Sequence, residues 1–213
     1  MGTYRQGILG PFSGIVGTVV GANFRGIDVM RGLPKPSSKA PTNSQLEQRR
    51  KFATVMQFLT PAKQVLEDYF GSPVGAKSRF NLATSYHIKE ATVYVNDEAQ
   101  MVLNRVVFSK GTLLQPQNLA CVPRAGGTLQ FTWVNNSEQG NAQLTDVLKV
   151  VVYEPVTGLF EFFLEVGLRL DSTATVVLPA YLSGSAINVY AFMAMADGRF
   201  ATTSQYLGEM RVI

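Results

Sequence analysis

The sequence predicts an α+β chain in which a glycine-rich N-terminal β-hairpin and a helical segment precede an antiparallel β-sandwich. Three observations lead there. Glycine recurs at Gly7, Gly10, Gly14, Gly17 and Gly21 within a stretch that carries no charge between Arg5 and Arg25. Apolar residues then repeat at helical spacing from about residue 46 to 91. From about Met101 the period falls to two, with turn residues between the runs. At 213 residues the chain is long enough to bury a sizeable core.

The opening stretch is too rich in glycine to hold a helix, because each glycine costs about 1 kcal/mol relative to alanine. An extended strand fits better. Ile15, Gly17, Val19 and Gly21 fall on one face and Val16, Thr18, Val20 and Ala22 on the other, so both faces are nearly apolar. Gly21-Ala22-Asn23 reads as a turn, with a return strand from Ile27. Residues 1–33 are therefore assigned to the hairpin and 34–43, with Pro34, Pro36 and Pro41, to a stiff linker. The same stretch argues against a signal peptide or a membrane span, since Pro11 and the glycines make a poor apolar helix.

A helical subdomain is expected over 44–98. Ser44-Gln45-Leu46-Glu47 has the form of a capping box, and Phe52, Val55, Met56 and Leu59 form an apolar stripe. Thr60-Pro61 reads as N-cap and first residue of a second helix that buries Val65, Leu66, Tyr69 and Phe70. A third helix is predicted over 78–91, with Phe80, Ala83, His87 and Ile88 inward.

Over 99–213, strands are predicted at 101–108, 128–134, 146–153, 159–166, 173–178, 187–195 and 204–212. Seven short strands with turns such as Asn135-Asn136-Ser137 and Asp197-Gly198 suggest an immunoglobulin- or fibronectin-III-like sandwich. Leu129, Phe131 and Trp133 alternate, which points the sole tryptophan inward. Tyr190 takes a position suited to a tyrosine corner.

The sequence offers no catalytic, cofactor or metal motif. Its one histidine, His87, excludes histidine triads and multi-histidine zinc sites, and its one cysteine, Cys121, excludes an intramolecular disulfide. The glycines match neither phosphate-loop pattern. Charge is uneven: nine basic residues and two acidic ones precede residue 66, in a chain of net charge +4. Arg49, Arg50 and Lys51 are the candidates for anion or nucleic-acid contact, against the alternative of an internally paired face. Trp133, Tyr181 and Tyr206 are the stacking candidates if the sandwich binds carbohydrate or protein. Ile15, Val16, Val19, Val20, Phe24 and Ile27 are the candidate anchors for self-association, because an apolar strand with unpaired edges seeks another strand. The expectation is a non-enzymatic structural homo-oligomer, in the cytoplasm or a virion, with another structural protein as an alternative partner.

The residues Gly10-Pro11-Phe12-Ser13-Gly14, Val16-Gly17-Thr18-Val19-Val20-Gly21 and Phe24-Arg25-Gly26-Ile27 resemble the N-terminal motif of an uncharacterised family in Bacteroidetes. Pro41-Thr42, Gln45-Leu46 and Gln48-Arg49, then Phe131-Thr132-Trp133, Asp146 with Val150-Val151-Val152-Tyr153, and Ala196-Asp197-Gly198 extend the resemblance over nearly the full length. The motif is also similar, more loosely, to hypothetical bacteriophage proteins. The resemblance implies no catalytic residue.

Overall fold

The computed structural model describes residues 3–4, 10–36, 39–75 and 77–213. They fall into two compact units, Met1–Thr42 and Asn43–Ile213. Gly7, the first glycine of the N-terminal series, and Ser37 and Ser38 of the linker lie outside the described residues.

The first unit is a four-stranded antiparallel meander in chain order: β1 (Thr3–Tyr4), β2 (Phe12–Val16), β3 (Val19–Phe24) and β4 (Ile27–Gly32). The β2–β3 turn is Gly17-Thr18, with Gly17 at φ +56. The β3–β4 turn is Arg25-Gly26, both in the left-handed region, as a two-residue I′ hairpin requires. Asn23 Oδ1 accepts from the Gly26 amide, and its Nδ2 donates to Asp28 Oδ1, fixing that turn. The turn expected at Gly21-Ala22-Asn23 is thus corrected, because these residues lie inside β3. Gly21 serves close approach instead: a Cβ there would fall 2.3 Å from Phe12 O and 2.7 Å from the Phe12 ring.

The second unit opens with α1 (Asn43–Leu59), α2 (Lys63–Tyr69) and α3 (Arg79–Glu90). Helix α1 begins one residue before Ser44, so the expected capping box does not stand at its N-cap. Its buried residues are Val55, Phe58 and Leu59, while Phe52 is 51% exposed. The inward stripe is rotated toward Phe58, whose ring packs edge-on against Tyr153 and Phe160. Thr60 does not cap α2; its hydroxyl donates back to Met56 O within the last turn of α1, and Ala62 takes the N-cap position. Helix α3 matches expectation closely, with the Ser78 hydroxyl accepting from the Asn81 amide.

The strands that follow are β5 (Thr92–Val95), β6 (Glu98–Met101), β7 (Gln117–Arg124), β8 (Thr128–Val134), β9 (Val147–Glu154), β10 (Leu159–Leu168), β11 (Thr173–Val177), β12 (Ala186–Ala194) and β13 (Gln205–Arg211). They form antiparallel sheets in the orders β10-β9-β12-β13 and β11-β8-β7, beside a β5-β6 hairpin. The strand expected at 101–108 is corrected: β6 ends at Met101, and Leu103–Arg105 form a 3-10 turn. Strand β7 lies outside the strands the sequence predicts; its Pro123 is tolerated because β7 is an edge of its sheet.

Two apolar clusters meet at the β9–β12 pair. Val151, Tyr190, Phe192 and Ala194 pack with the three helices and Phe108. Leu148, Val150, Val152, Ile187, Val189, Ala191 and Met193 pack with Leu129, Phe131 and Trp133 of β8 and Val176 of β11. Both faces of β9 and β12 are therefore covered, and both strands are mostly apolar, broken by Lys149 in β9 and Asn188 in β12. The helical segment and the sheets share this core in one unit rather than standing as separate bodies. Tyr190 is fully buried, and its hydroxyl donates to Leu103 O at 2.8 Å, far away in the chain. It does not form the local loop tie of a tyrosine corner.

Candidate functional site

In the N-terminal sheet the register sorts the anchor residues. Ile15 pairs with Val20, which pairs with Arg31; Ala22 pairs with Val29, and Phe24 with Ile27. Directly paired residues share a face, so Ile15, Val20, Ala22, Phe24, Ile27 and Val29 form a largely apolar surface with Arg31 beside Val20. Val16 and Val19 pair on the opposite face with Gly32. The six expected anchors therefore divide four and two. Phe24 and Ile27 are 54% and 57% exposed, and Ile15 and Val29 are exposed too. Strand β4 is an edge of the sheet, and all six of its residues are exposed.

The basic cluster on α1 is largely engaged. Arg50 NH1 donates to the Tyr94 hydroxyl at 2.9 Å and to Asp97 O, with the Asp97 carboxylate 4.0 Å away. Lys51 pairs with Glu47 at 2.6 Å and lies 5.9 Å over the Tyr94 ring. These contacts tie α1 to the β5-β6 hairpin, leaving Arg49 as the member of the trio that points outward with no ion pair among the described residues.

The stacking candidates are not brought together. Trp133 is only 4% exposed, and its indole N–H donates to Arg169 O at 2.9 Å, so it lies in the core as its alternation with Leu129 and Phe131 predicts, and the stacking alternative is dropped for it. Tyr206 is half-buried against Tyr190 and donates to Asn188 Oδ1 at 2.8 Å. Tyr181 is exposed, and its hydroxyl donates to Glu161.

His87 is fully buried. Its Nδ1 lies 2.8 Å from Ala83 O and its Nε2 accepts from the Val107 amide at 3.2 Å, which selects the tautomer with the proton on Nδ1. Burial lowers its pKa to about 4. Both nitrogens are occupied with backbone. Lys149 lies opposite a bulge between Phe163 and Gly167, and its Nζ donates to Leu164 O at 2.7 Å while standing 5.2 Å over the Tyr69 ring. Desolvation lowers its pKa, opposed by Glu165 and Asp68. Among the described residues no group of three or more His, Cys, Asp or Glu side chains is placed to hold a metal, and no helix is long and apolar enough to cross a membrane.

Sequence reasoning missed a recess of the second unit. It is a cleft of about 580 Å³ between the end of α2, one side of α3 and the loops carrying Lys110 and Phe200. Its residues come from four separated segments, and only the fold assembles them.

Residues 11–208 match a family described as a family of unknown function (DUF6266). The chain belongs to DUF6266. This agrees with the uncharacterised family expected from the glycine-rich motif, and it brings no activity with it. No curated protein matches the chain. Among solved structures, this DUF6266 chain is similar to the fn3 domain of the human collagen alpha-1(XX) chain, at 17% identity and a TM-score of 0.34, over 49% of this chain and 90% of that one. At that score the likeness carries no weight.

Proposed function

We propose that this DUF6266 chain is a non-enzymatic structural protein that self-associates through its N-terminal sheet, with β4 as the strand that pairs with a second copy. The observation that carries the reading is an exposed edge strand flanked by an exposed apolar face. An unpaired strand edge presents backbone donors and acceptors to any strand that can complete it. Pairing with a second copy would satisfy them and bury Phe24, Ile27 and Val29, which water now contacts. In this reading 99–213 is an immunoglobulin- or fibronectin-III-like sandwich, supported by the apolar cluster that β8 and β11 share with β9 and β12. The setting that goes with it is a virion or surface assembly, in keeping with the resemblance of the glycine-rich motif to Bacteroidetes and phage proteins.

Light scattering on the eluting full-length chain tests the reading. The wild type should run above monomer mass at micromolar concentration. Ile27→Asp with Val29→Asp should return it to monomer, whereas Val156→Asp, on an exposed turn of the second unit, should not. A wild type that is monomeric throughout overturns the proposal.

A further inference from the structure

The cleft beside α3 has a composition that self-association does not use. Its floor is aromatic and apolar: Phe70 is buried, Leu82 and Tyr86 are half-buried, and the Tyr86 ring lies 6.0 Å from that of Phe70. Lys110 Nζ stands 5.2 Å over the Tyr86 ring. Lys89 lies three residues after Tyr86 on α3, so its side chain leaves the same side of the helix. Phe200, also in the lining, is exposed, and Ser72, Ser85 and Thr112 bring hydroxyls to that lining.

The other charges in the lining are mostly committed. Arg79 donates from NH1 to the backbone carbonyls of Glu67 and Asp68, closing the end of α2. Arg199 pairs with Asp197 at 3.4 Å. Asp68 accepts from Gln64 Nε2 at 3.1 Å, and Glu90 is the remaining lining carboxylate. Lys89 and Lys110 have no ion-pair partner among the described residues. Two ammonium groups without an ion pair, an exposed aromatic ring and several hydroxyls line a recess of ligand size, a set that suits a guest both acidic and hydroxylated. Aromatic rings receive the C–H face of a sugar, hydroxyls exchange hydrogen bonds with its hydroxyls, and ammonium groups meet an acid.

We propose that this cleft binds a carboxylated sugar, with the carboxylate held by Lys89 and Lys110 and the ring laid against Phe200. The cleft lies wholly within the second unit, so the proposal stands apart from self-association.

Saturation-transfer NMR on the full chain, with glucuronic acid as the probe and glucose and acetate as separate arms, tests it. Glucuronate should receive saturation, and glucose and acetate should bind at least about tenfold more weakly, since each lacks one of the two recognised features. K89Q/K110Q should weaken glucuronate about tenfold or more, the scale expected for lost charge-assisted hydrogen bonds. F200S, at an exposed position, should weaken it as well without shifting the thermal midpoint. No transfer to glucuronate overturns the proposal, and so does binding that both variants leave unchanged. Equal binding of acetate would mean charge alone is read, and equal binding of glucose would mean the lysines are not used; either result also overturns it.

Discussion

Arg169 donates from Nε to Asp146 Oδ2 at 2.9 Å, and both side chains are fully enclosed. The same guanidinium donates to Asn136 Oδ1 at 2.5 Å and to Leu114 O at 2.9 Å, while the Arg169 carbonyl accepts from Trp133. Asp146 Oδ2 also accepts from the Gln143 amide at 2.9 Å. One buried charge thus holds together the loop before β9, the segment after β10 and the loop between β6 and β7. Burial opposes the charge on Arg169, and Asp146 supports it.

Removing one member of that pair leaves the other charged and uncompensated in the interior. Asp146→Asn and Arg169→Met are each expected to cost about 3–5 kcal/mol. The double variant should cost less than the two singles added together. Urea unfolding followed by Trp133 fluorescence measures all three.

His87 gives the stability a pH dependence with a definite sign. Its folded pKa is lowered to about 4 from the ordinary 6.5. The unfolded chain therefore binds a proton over a range where the folded chain does not, and stability falls as pH drops from about 6.5 toward about 4. The full effect is on the order of 3 kcal/mol. His87→Gln should remove this part of the dependence, as seen in denaturation midpoints across that range.

Cys121 faces the β8 side of the second apolar cluster, and burial pushes its thiol up to about 12. Without thiolate there is no nucleophile. A disulfide reagent at pH 8 should react with the unfolded chain and leave the folded chain nearly untouched.

Gly111 approaches backbone closely: a Cβ there would lie 2.1 Å from Ala201 O. Gly111→Ala should cost about 2–3 kcal/mol, as forced overpacking does. Gly17→Ala meets open space and strains only its positive φ, so about 1 kcal/mol is expected. Thermal melts of the two variants compare the mechanisms directly.

Much of the architecture is legible in local pattern. Ser78 marks the start of α3, and Leu129, Phe131 and Trp133 alternate as β8 requires. Where a device acts across the chain, local pattern is silent. Arg169 lies between the strands predicted at 159–166 and 173–178, and nothing nearby indicates that Asp146 will enclose it. Strand β7 lies outside the predicted strands, and its Pro123 is accommodated by an edge position. The faces expected for Ile15, Val16, Val19 and Val20 are redistributed, because the turn lies at Gly17-Thr18 and every residue after it changes face accordingly. Lys89, Lys110 and Phe200 carry no shared motif, so the cleft they line could not be read before folding.

Amide hydrogen exchange at Ile27–Gly32 in the full-length chain, followed as a function of protein concentration, bears most directly on the claim that β4 completes itself with a second copy. The expected result is protection that grows with concentration and is lost in I27D/V29D. Exchange at these amides that is independent of concentration and identical in the variant would contradict it.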